Sequence, residues 1–326
     1  MSAVAVLSFV AGLALLVLGA DGVVRGGSRL AARLGVGPLV IGMTVVSLGT
    51  SLPELAIGLS AVRDGNGELA VGNIVGTNLV NTLLVLGIAA LLVPIRFESR
   101  TLRVDLPAAA LASVLLFVLA RDGSLSLVDG VALTAYGLGY FGSVIVTTRG
   151  ADRPGPDQLS TGHEDEGGGS GPPGRVAPTV AVLVAGLVGV LVGAELLVDG
   201  ATTIALDLGM SDALVGLTIV AVGTSAPELV TTVVSTVRGD RAIAIGNLMG
   251  SNVFNIALVL GPTVLASPTE LSVPDEVLAG DLVLMVGAAL ACVPAFWTRR
   301  TLSRIEGGLF VGAYLAYIVT LVVAHV

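Results

Sequence analysis

The sequence predicts an all-α polytopic membrane protein, with ten transmembrane helices arranged as two inverted-topology repeats of five. Three observations carry this expectation: an apolar composition, ten apolar runs of spanning length, and a match between the two halves of the chain. Of 326 residues, 54% are hydrophobic and only 12% are charged, and the mean hydropathy is +0.96. A soluble domain of this length does not carry so apolar a composition, so the chain falls in the membrane class, with the lipid bilayer as its surroundings.

A bilayer core about 30 Å thick needs about 20 apolar residues per helix. Runs that satisfy this lie at 2–24, 37–62, 68–94, 104–120, 126–147, 177–204, 211–237, 242–266, 276–297 and 305–325. The first run lacks a basic leader and a small-residue cleavage site, so it is expected to remain as a helix. Cys292 is the only cysteine, which rules out an intrachain disulfide and leaves it as a small buried hydrophobe. The net charge of −8 comes from 24 acids against 16 bases, all of them arginine. No nucleic-acid partner is expected of so acidic a chain.

The arginines also orient the chain. Connections one, three, five, seven and nine hold Arg25, Arg29 and Arg33; Arg96, Arg100 and Arg103; Arg149, Arg153 and Arg175; Arg238 and Arg241; and Arg299, Arg300 and Arg304, whereas the even connections hold only Arg63 and Arg121. The positive-inside rule then places the odd loops in the cytoplasm and both termini outside, in a cell membrane.

Shifting the sequence by 174 residues lays Gly49-Thr50-Ser51 on Gly223-Thr224-Ser225 and Pro53-Glu54-Leu55 on Pro227-Glu228-Leu229. The register continues without a gap through Gly72-Asn73 on Gly246-Asn247, Asn78 on Asn252 and Asn81 on Asn255, and ends at Leu84-Val85-Leu86-Gly87 on Leu258-Val259-Leu260-Gly261. Five helices per half is an odd number, so the second half enters the membrane from the opposite side, which predicts a pseudo-twofold axis in the membrane plane, an arrangement associated with secondary transport. Residues 1–148 form the first repeat, with its motif at 37–94, and residues 177–326 the second, with its motif at 211–266. Between them, residues 149–176 read as a flexible cytoplasmic linker rich in Gly, Pro and acids, and its His163-Glu164-Asp165-Glu166 as solvated charge.

Within each motif a glutamate and a proline interrupt an apolar run. An acidic side chain at the centre of a membrane helix costs about 2.5–3.5 kcal/mol on insertion scales, so Glu54 and Glu228 are read as functional. Pro53 and Pro227 lack an N–H and are expected to free backbone carbonyls at residues such as Ser47, Thr50, Ala221 and Thr224, which must then line a cavity or bind something. Two carboxylates with carbonyls and hydroxyls make an all-oxygen set suited to hard cations such as Ca²⁺ and Na⁺. In the following helix of each half, Asn73, Thr77 and Asn81 repeat every four residues, as do Asn247, Ser251 and Asn255, giving a polar stripe that ligates a cation or bonds the broken helix. Asn78 and Asn252 lie off the stripe and are expected to join helices, while Gly72, Gly76, Gly246 and Gly250 are expected to let backbones approach.

At these residues, GTSLPEL with GNIVGTNLVN and GTSAPEL with GNLMGSNVFN, the sequence resembles the cation/calcium antiporter superfamily, the sodium/calcium exchangers, and in particular its prokaryotic ten-helix members. The resemblance implies that Glu54, Glu228 and the carbonyls of Thr50 and Thr224 hold Ca²⁺. It implies Na⁺ sites on the same carboxylates, on Ser51 and Ser225, on the carbonyls of Ser47 and Ala221, and on the hydroxyls of Thr77 and Ser251. It further implies exchange of the two transported ions by alternating access, with no cofactor and no enzymatic chemistry, and with helices one and six sliding against the rest. Asp21 and Glu195 match across the shift but sit near helix ends, where a structural pair or snorkelling is expected. Some prokaryotic relatives carry aspartate where this chain has Asn255, so the two glutamates alone supply the formal charge of the site.

Other readings stay open on the sequence. A proton-coupled calcium exchanger is the nearest, since a membrane glutamate can carry a proton, although His163 lies in the linker and His325 is the penultimate residue. An intramembrane hydrolase using Ser51 or Ser225 finds no histidine or lysine in either repeat motif to serve as base. A passive cation channel is harder to exclude by sequence, but the closely matched inverted repeats favour alternating access.

Overall fold

In the computed structural model, which describes residues 3–99, 101–150, 176–210, 215 and 219–325, nearly every element is a helix. The long α1 (Ala3–Leu34) leads to a broken span: α2 (Pro38–Ile41), a π-helical turn (Gly42–Val46) and α3 (Ser47–Thr50), followed by α4 (Leu52–Arg63). Next, α5 (Gly67–Leu79) passes through a π-helical segment (Val80–Val85) into α6 (Leu86–Leu92), and α7 (Leu106–Leu119) and α8 (Leu127–Gly150) follow. The second half holds α9 (Val176–Asp207), the short α10 (Ala221–Gly223), α11 (Ala226–Val237) and α12 (Arg241–Phe254), which passes through a π-helical segment (Asn255–Leu260) into α13 (Gly261–Ala266). It ends with α14 (Leu282–Arg299) and α15 (Arg304–His325).

Among the described residues, seven helices are long and apolar enough to cross a membrane, or eight if the pair Pro38–Thr50 and Leu52–Arg63, bent by 40°, is one span. The segments Ala226–Val237 and Val277–Val293 are shorter apolar helices. The start of the expected run 211–237 and most of the expected linker 149–176 lie outside the described residues. Many large apolar side chains face outward, among them Leu7, Leu18, Val128, Ile305 and Val323, an arrangement that lipid accepts and water penalises.

The first helix does not stop near residue 24 as its apolar run suggests, but continues to Leu34. Arg25, Arg29 and Arg33 repeat every four residues and so share one stripe, which lets their heads reach the interface while Leu30 and Ala31 stay buried on another. Two antiparallel ribbons tie distant connections together. Strand β1 (Ile95–Arg96) pairs with β4 (Thr301–Leu302), and β2 (Ser124–Leu125) pairs with β3 (Leu271–Ser272). These ribbons couple connection three to nine and connection four to eight.

The spans containing α5–α6 and α12–α13 form the centre, with 78% and 89% of their apolar windows buried, against 28% for α1 and 11% for α15. At the periphery α1 and α9 run antiparallel, backbone against backbone. Gly12, Gly19 and Gly26 recur every seven residues, as do Gly186, Gly193 and Gly200. A Cβ on Gly19 would fall 2.6 Å from the Val190 nitrogen, one on Gly186 2.6 Å from that of Val23, and one on Gly193 2.6 Å from that of Leu16. Small residues at such crossings are what let membrane helices gain packing energy that apolar tails cannot supply by exclusion from water.

Gly19→Ala should therefore force the helix backbones apart and destabilise the protein by about 1–3 kcal/mol, the range typical of overpacking. By contrast Gly139→Ala, where an added Cβ meets nothing within 4 Å, should leave it unchanged. Thermal unfolding of the two variants in the same detergent checks this.

Candidate ion-binding site

Each half breaks its second span at the same place and in the same way. Ser51 has φ −87° and ψ 6°, and Ser225 has φ −89° and ψ 7°, the bridge conformation that ends one helical segment and starts another. Pro53 and Pro227 then occupy the first turn of α4 and α11, where a missing N–H leaves no bond unmade. Glu54 and Glu228 also sit in those first turns, where the positive end of the helix dipole favours a carboxylate.

The local bonding corrects one expectation. The Ser47 carbonyl is not freed by Pro53, because it accepts the Ser51 N–H at 3.0 Å; the missing proline N–H belongs, by the helical i−4 rule, to residue 49. The same oxygen also accepts the Thr50 hydroxyl at 3.4 Å. In the other half the Ser225 N–H donates to Val222 at 3.1 Å, one residue nearer than in the first half. The side chain of Ala221 lies outside the described residues.

Glu54 and Glu228 are both 0% exposed, close enough for their charges to act on one another. None of their four carboxylate oxygens has a hydrogen-bond partner among the described residues. Thr50 lies beside Glu228; its hydroxyl donates to Asn247 Oδ1 at 3.2 Å and stands 3.4 Å from Ser251 Oγ. The hydroxyls of Ser51, Ser225 and Thr77 and both amide atoms of Asn81 are buried without a hydrogen-bond partner among the described residues. Asn247, seen in the sequence only as a member of the polar stripe, thus touches the site through Thr50.

Each acidic helix packs on the π-helical segment of the opposite half: α4 on Asn255–Leu260 and α11 on Val80–Val85. These segments begin at or next to Asn255 and Asn81, and π-helical turns recur at functional sites because they re-aim one side chain without ending the helix. The two central helices are joined by amide bonds. Asn78 Nδ2 donates to the Asn252 carbonyl at 3.1 Å, Asn252 Nδ2 to Thr82 Oγ1 at 3.0 Å, and Asn255 Nδ2 to Asn78 Oδ1 at 3.2 Å. Asn78 and Asn252 therefore do join helices, and Asn255 keeps only its Oδ1 unbonded. Ser47 Oγ donates to Gly42 at 2.8 Å and to Asn247 O at 3.1 Å, so its hydroxyl is a joint between α3 and α12.

Gly246 and Gly250 act as expected, each abutting Met43 backbone. Around Gly72 and Gly76 no described atom would meet a Cβ within 4 Å; Leu39 and Met43 correspond, by the same shift, to residues 213 and 217, which are not described. Asp21 is engaged in a structural pair, with Arg25 at 3.0 Å and with Arg238, whereas Glu195 is exposed.

This geometry agrees with what the chain is similar to. The family described as sodium/calcium exchanger protein matches residues 4–146 and 178–323. The sodium/calcium exchanger MaX1 of Methanosarcina acetivorans is 33% identical over 340 residues, covering 95% of this chain and 96% of the relative. The inner membrane protein YrbG of Escherichia coli is 36% identical over 315 residues, covering 96% and 95%. The solved structure of the sodium-calcium exchanger NCX_Mj, soaked with Na⁺ and Ca²⁺, superposes with a TM-score of 0.82 at 30% identity, over 98% of this chain and 99% of that one.

The chain belongs to the sodium/calcium exchanger family. The family match covers both halves and stops on either side of the segment 147–177.

In this exchanger family member the amide links decide how a further acid would be received. Asn255→Asp removes the donor to Asn78 Oδ1 and sets two acceptors face to face, at a cost of about 1–3 kcal/mol for the unsatisfied group. Combining it with Asn78→Ala should recover part of that loss, as a double-mutant cycle on thermal unfolding would show.

Proposed function

We propose that the protein exchanges Na⁺ for Ca²⁺ across the cell membrane, with Glu54 and Glu228 at the shared site. The observation that carries this reading is the pair of wholly buried, mutually repelling carboxylates whose oxygens meet no hydrogen-bonding distance and angle to a partner among the described residues. Such a pair is stable in its charged form only beside cations. One Ca²⁺ or two Na⁺ neutralise the formal charge of −2, and an ion of either kind must take the same oxygens. Competition for one set of ligands couples the two fluxes.

The ligand set is the one that the family resemblance implies. Glu54 and Glu228 with the carbonyls of Thr50 and Thr224 serve Ca²⁺, the all-oxygen coordination that it prefers. The same carboxylates, Ser51, Ser225, the Ser47 and Ala221 carbonyls, Thr77 and Ser251 serve Na⁺, and Asn81 and Asn255 contribute amide oxygens at the flanks. The donors are neutral apart from the two glutamates, so the site exchanges monovalent and divalent cations without a fixed positive charge.

Alternating access rests on a ten-span, inverted arrangement of residues 1–148 and 177–326 about the 149–176 linker. Several contacts support it. Gly12 abuts Gly193 while Gly19 abuts Gly186, and each pair becomes the other under the 174-residue shift. Asn78 bonds Asn252, its own counterpart. The ribbons join connection three to nine and four to eight, odd with odd and even with even, as expected if odd loops share the cytoplasmic face and both termini lie outside.

Sodium-gradient-driven Ca²⁺ uptake into proteoliposomes tests this function. Uptake should persist with a protonophore present; uptake that collapses with protonophore and ignores Na⁺ would put H⁺ in the place of Na⁺. Glu54→Gln and Glu228→Gln preserve shape and remove one charge each. A carboxylate about 4 Å from a monovalent cation is worth about 4 kcal/mol at an effective dielectric constant of about 20, and about twice that for a divalent one, so Ca²⁺ affinity should fall by roughly a thousandfold or more. Undiminished uptake in both variants would overturn the assignment.

A further inference from the structure

Beyond Glu228, α11 carries Thr231, Thr232, Ser235 and Thr236, each exposed by 2% or less. At about 100° per residue these four fall on the same face of the helix as Glu228. The other face presents Val230 and Val234 to the cluster containing Leu16, Ala20 and Val23 of α1. Ser235 Oγ donates to the Thr231 carbonyl at 2.7 Å. The hydroxyls of Thr231, Thr232 and Thr236 have no hydrogen-bond partner among the described residues. Hydroxyls buried in membrane helices ordinarily bond back to the carbonyl four residues earlier or across to a neighbouring helix; three in succession that do neither keep their oxygens uncommitted.

Packing alone does not require them. The positions related by the 174-residue shift on α4 are Ile57, Gly58, Ala61 and Val62, and that helix packs without a single hydroxyl among them. Thr263, which lies against Gly58, has its hydroxyl committed to the Val259 carbonyl at 2.8 Å. The row is therefore a property of one half of the chain.

Its length fits a path. Ten residues separate Glu228 from Arg238, about 15 Å along a helix, or half of a hydrocarbon core about 30 Å thick. At the far end Arg238 pairs with Asp21 of α1, which also holds Arg25 at 3.0 Å, and Asp240 lies beside Ser28 and Arg238.

We propose that Thr231, Thr232, Ser235 and Thr236 line the route by which cations pass between the Glu54–Glu228 site and the cytoplasm, with the Asp21–Arg238 pair closing its mouth in this conformation. The inference rests on the antiporter reading and on the cytoplasmic placement of the odd loops. Neutral hydroxyl oxygens replace part of the hydration shell of a cation without trapping it, as a conducting path requires. The opposite half offers no such lining on α4, so the two routes to the site differ in polarity.

Because Cys292 is the only cysteine, a Cys292→Ala background allows a thiol test. Thr231→Cys, Ser235→Cys and Thr236→Cys, with Ile57→Cys and Ala61→Cys as counterparts, are made singly, reconstituted, and treated from either face with a membrane-impermeant cationic thiosulfonate. The expected result is reaction of the α11 cysteines from the cytoplasmic face alone, faster after Arg238→Gln, and no reaction at the α4 positions. In the native background, Thr231→Val with Thr232→Val and Ser235→Ala should slow exchange about tenfold while equilibrium Ca²⁺ affinity stays unchanged, and Thr231→Ser with Thr232→Ser should keep the full rate. If unmodified protein exchanges Ca²⁺ while the α11 cysteines stay inert from the cytoplasmic face or react from outside, and the valine variant runs at full rate, the row is packing and the inference falls. Absence of exchange in the unmodified protein would instead overturn the antiporter reading on which it rests.

Discussion

Two carboxylates held together away from water set the terms for everything around them. Desolvation penalises each charge and proximity penalises the pair, so the surroundings must either neutralise them permanently or leave them for a mobile cation. The chain does the second. Its arginines stay at the ends of the spans, and Arg238, which follows the helix carrying Glu228, is engaged by Asp21 rather than by the glutamate. Among the described residues the neutral oxygen beside Glu228 is the Thr50 hydroxyl, and Ser51, Ser225 and Asn81 add buried polar atoms without hydrogen-bond partners there. A fixed cation would have made a stable core; among the described residues none sits at these positions, and the site proposed here is one that a passing ion completes.

That constraint accounts for how closely the middle of the molecule is bonded. Oxygen ligands must hold their spacing when no charge balance holds them, and the two central spans are accordingly cross-linked by the Asn78, Asn252, Asn255 and Thr82 amide and hydroxyl bonds and by Ser47 from the broken span. The periphery is built differently. Between α1 and α9 the glycines bring main chain to main chain, with the Ser8 hydroxyl on the Leu196 carbonyl as one of few polar ties. An interface of that kind has few side-chain knobs to be lifted over one another, so relative displacement along it meets less steric resistance than at the centre.

Most of this architecture is legible in the sequence, for reasons that are physical. Hydropathy reports lipid contact directly, which is why the spans and their order could be read from apolar runs, and a gap-free shift of 174 residues located both breaks because proline and glutamate are each improbable in lipid. Other features left weaker marks. The extension of α1 to Leu34 was hidden because arginines that snorkel look, in one dimension, like the start of a loop. The Ser47 carbonyl was misjudged because a proline deletes one specific bond, four residues back, rather than loosening a whole turn. The glycine ladder of α1 and α9 was present as a seven-residue spacing, but without a partner helix such spacing is indistinguishable from flexibility. Asn247 was visible as polar and periodic, yet its approach to Thr50 depends on the π-helical turn at Gly42–Val46, which hydropathy does not encode.

The similarity of the two halves has a limit, and the limit is informative. Ser51 and Ser225 share almost the same backbone angles, so the site itself presents matching geometry to an ion arriving from either side. Outside it the halves diverge: the hinge bond runs to Ser47, four residues back, in one and to Val222, three back, in the other, and the hydroxyls of α11 face apolar counterparts on α4. On the proposed reading an ion at the centre meets ligands from matching positions of the two halves, while α11 offers its path hydroxyls where α4 offers apolar side chains. Since a symmetric site with symmetric approaches would give neither face a preferred conformation, whatever bias this protein has between its outward and inward states must reside in the residues that break the repeat, and those are the ones bordering the site rather than forming it.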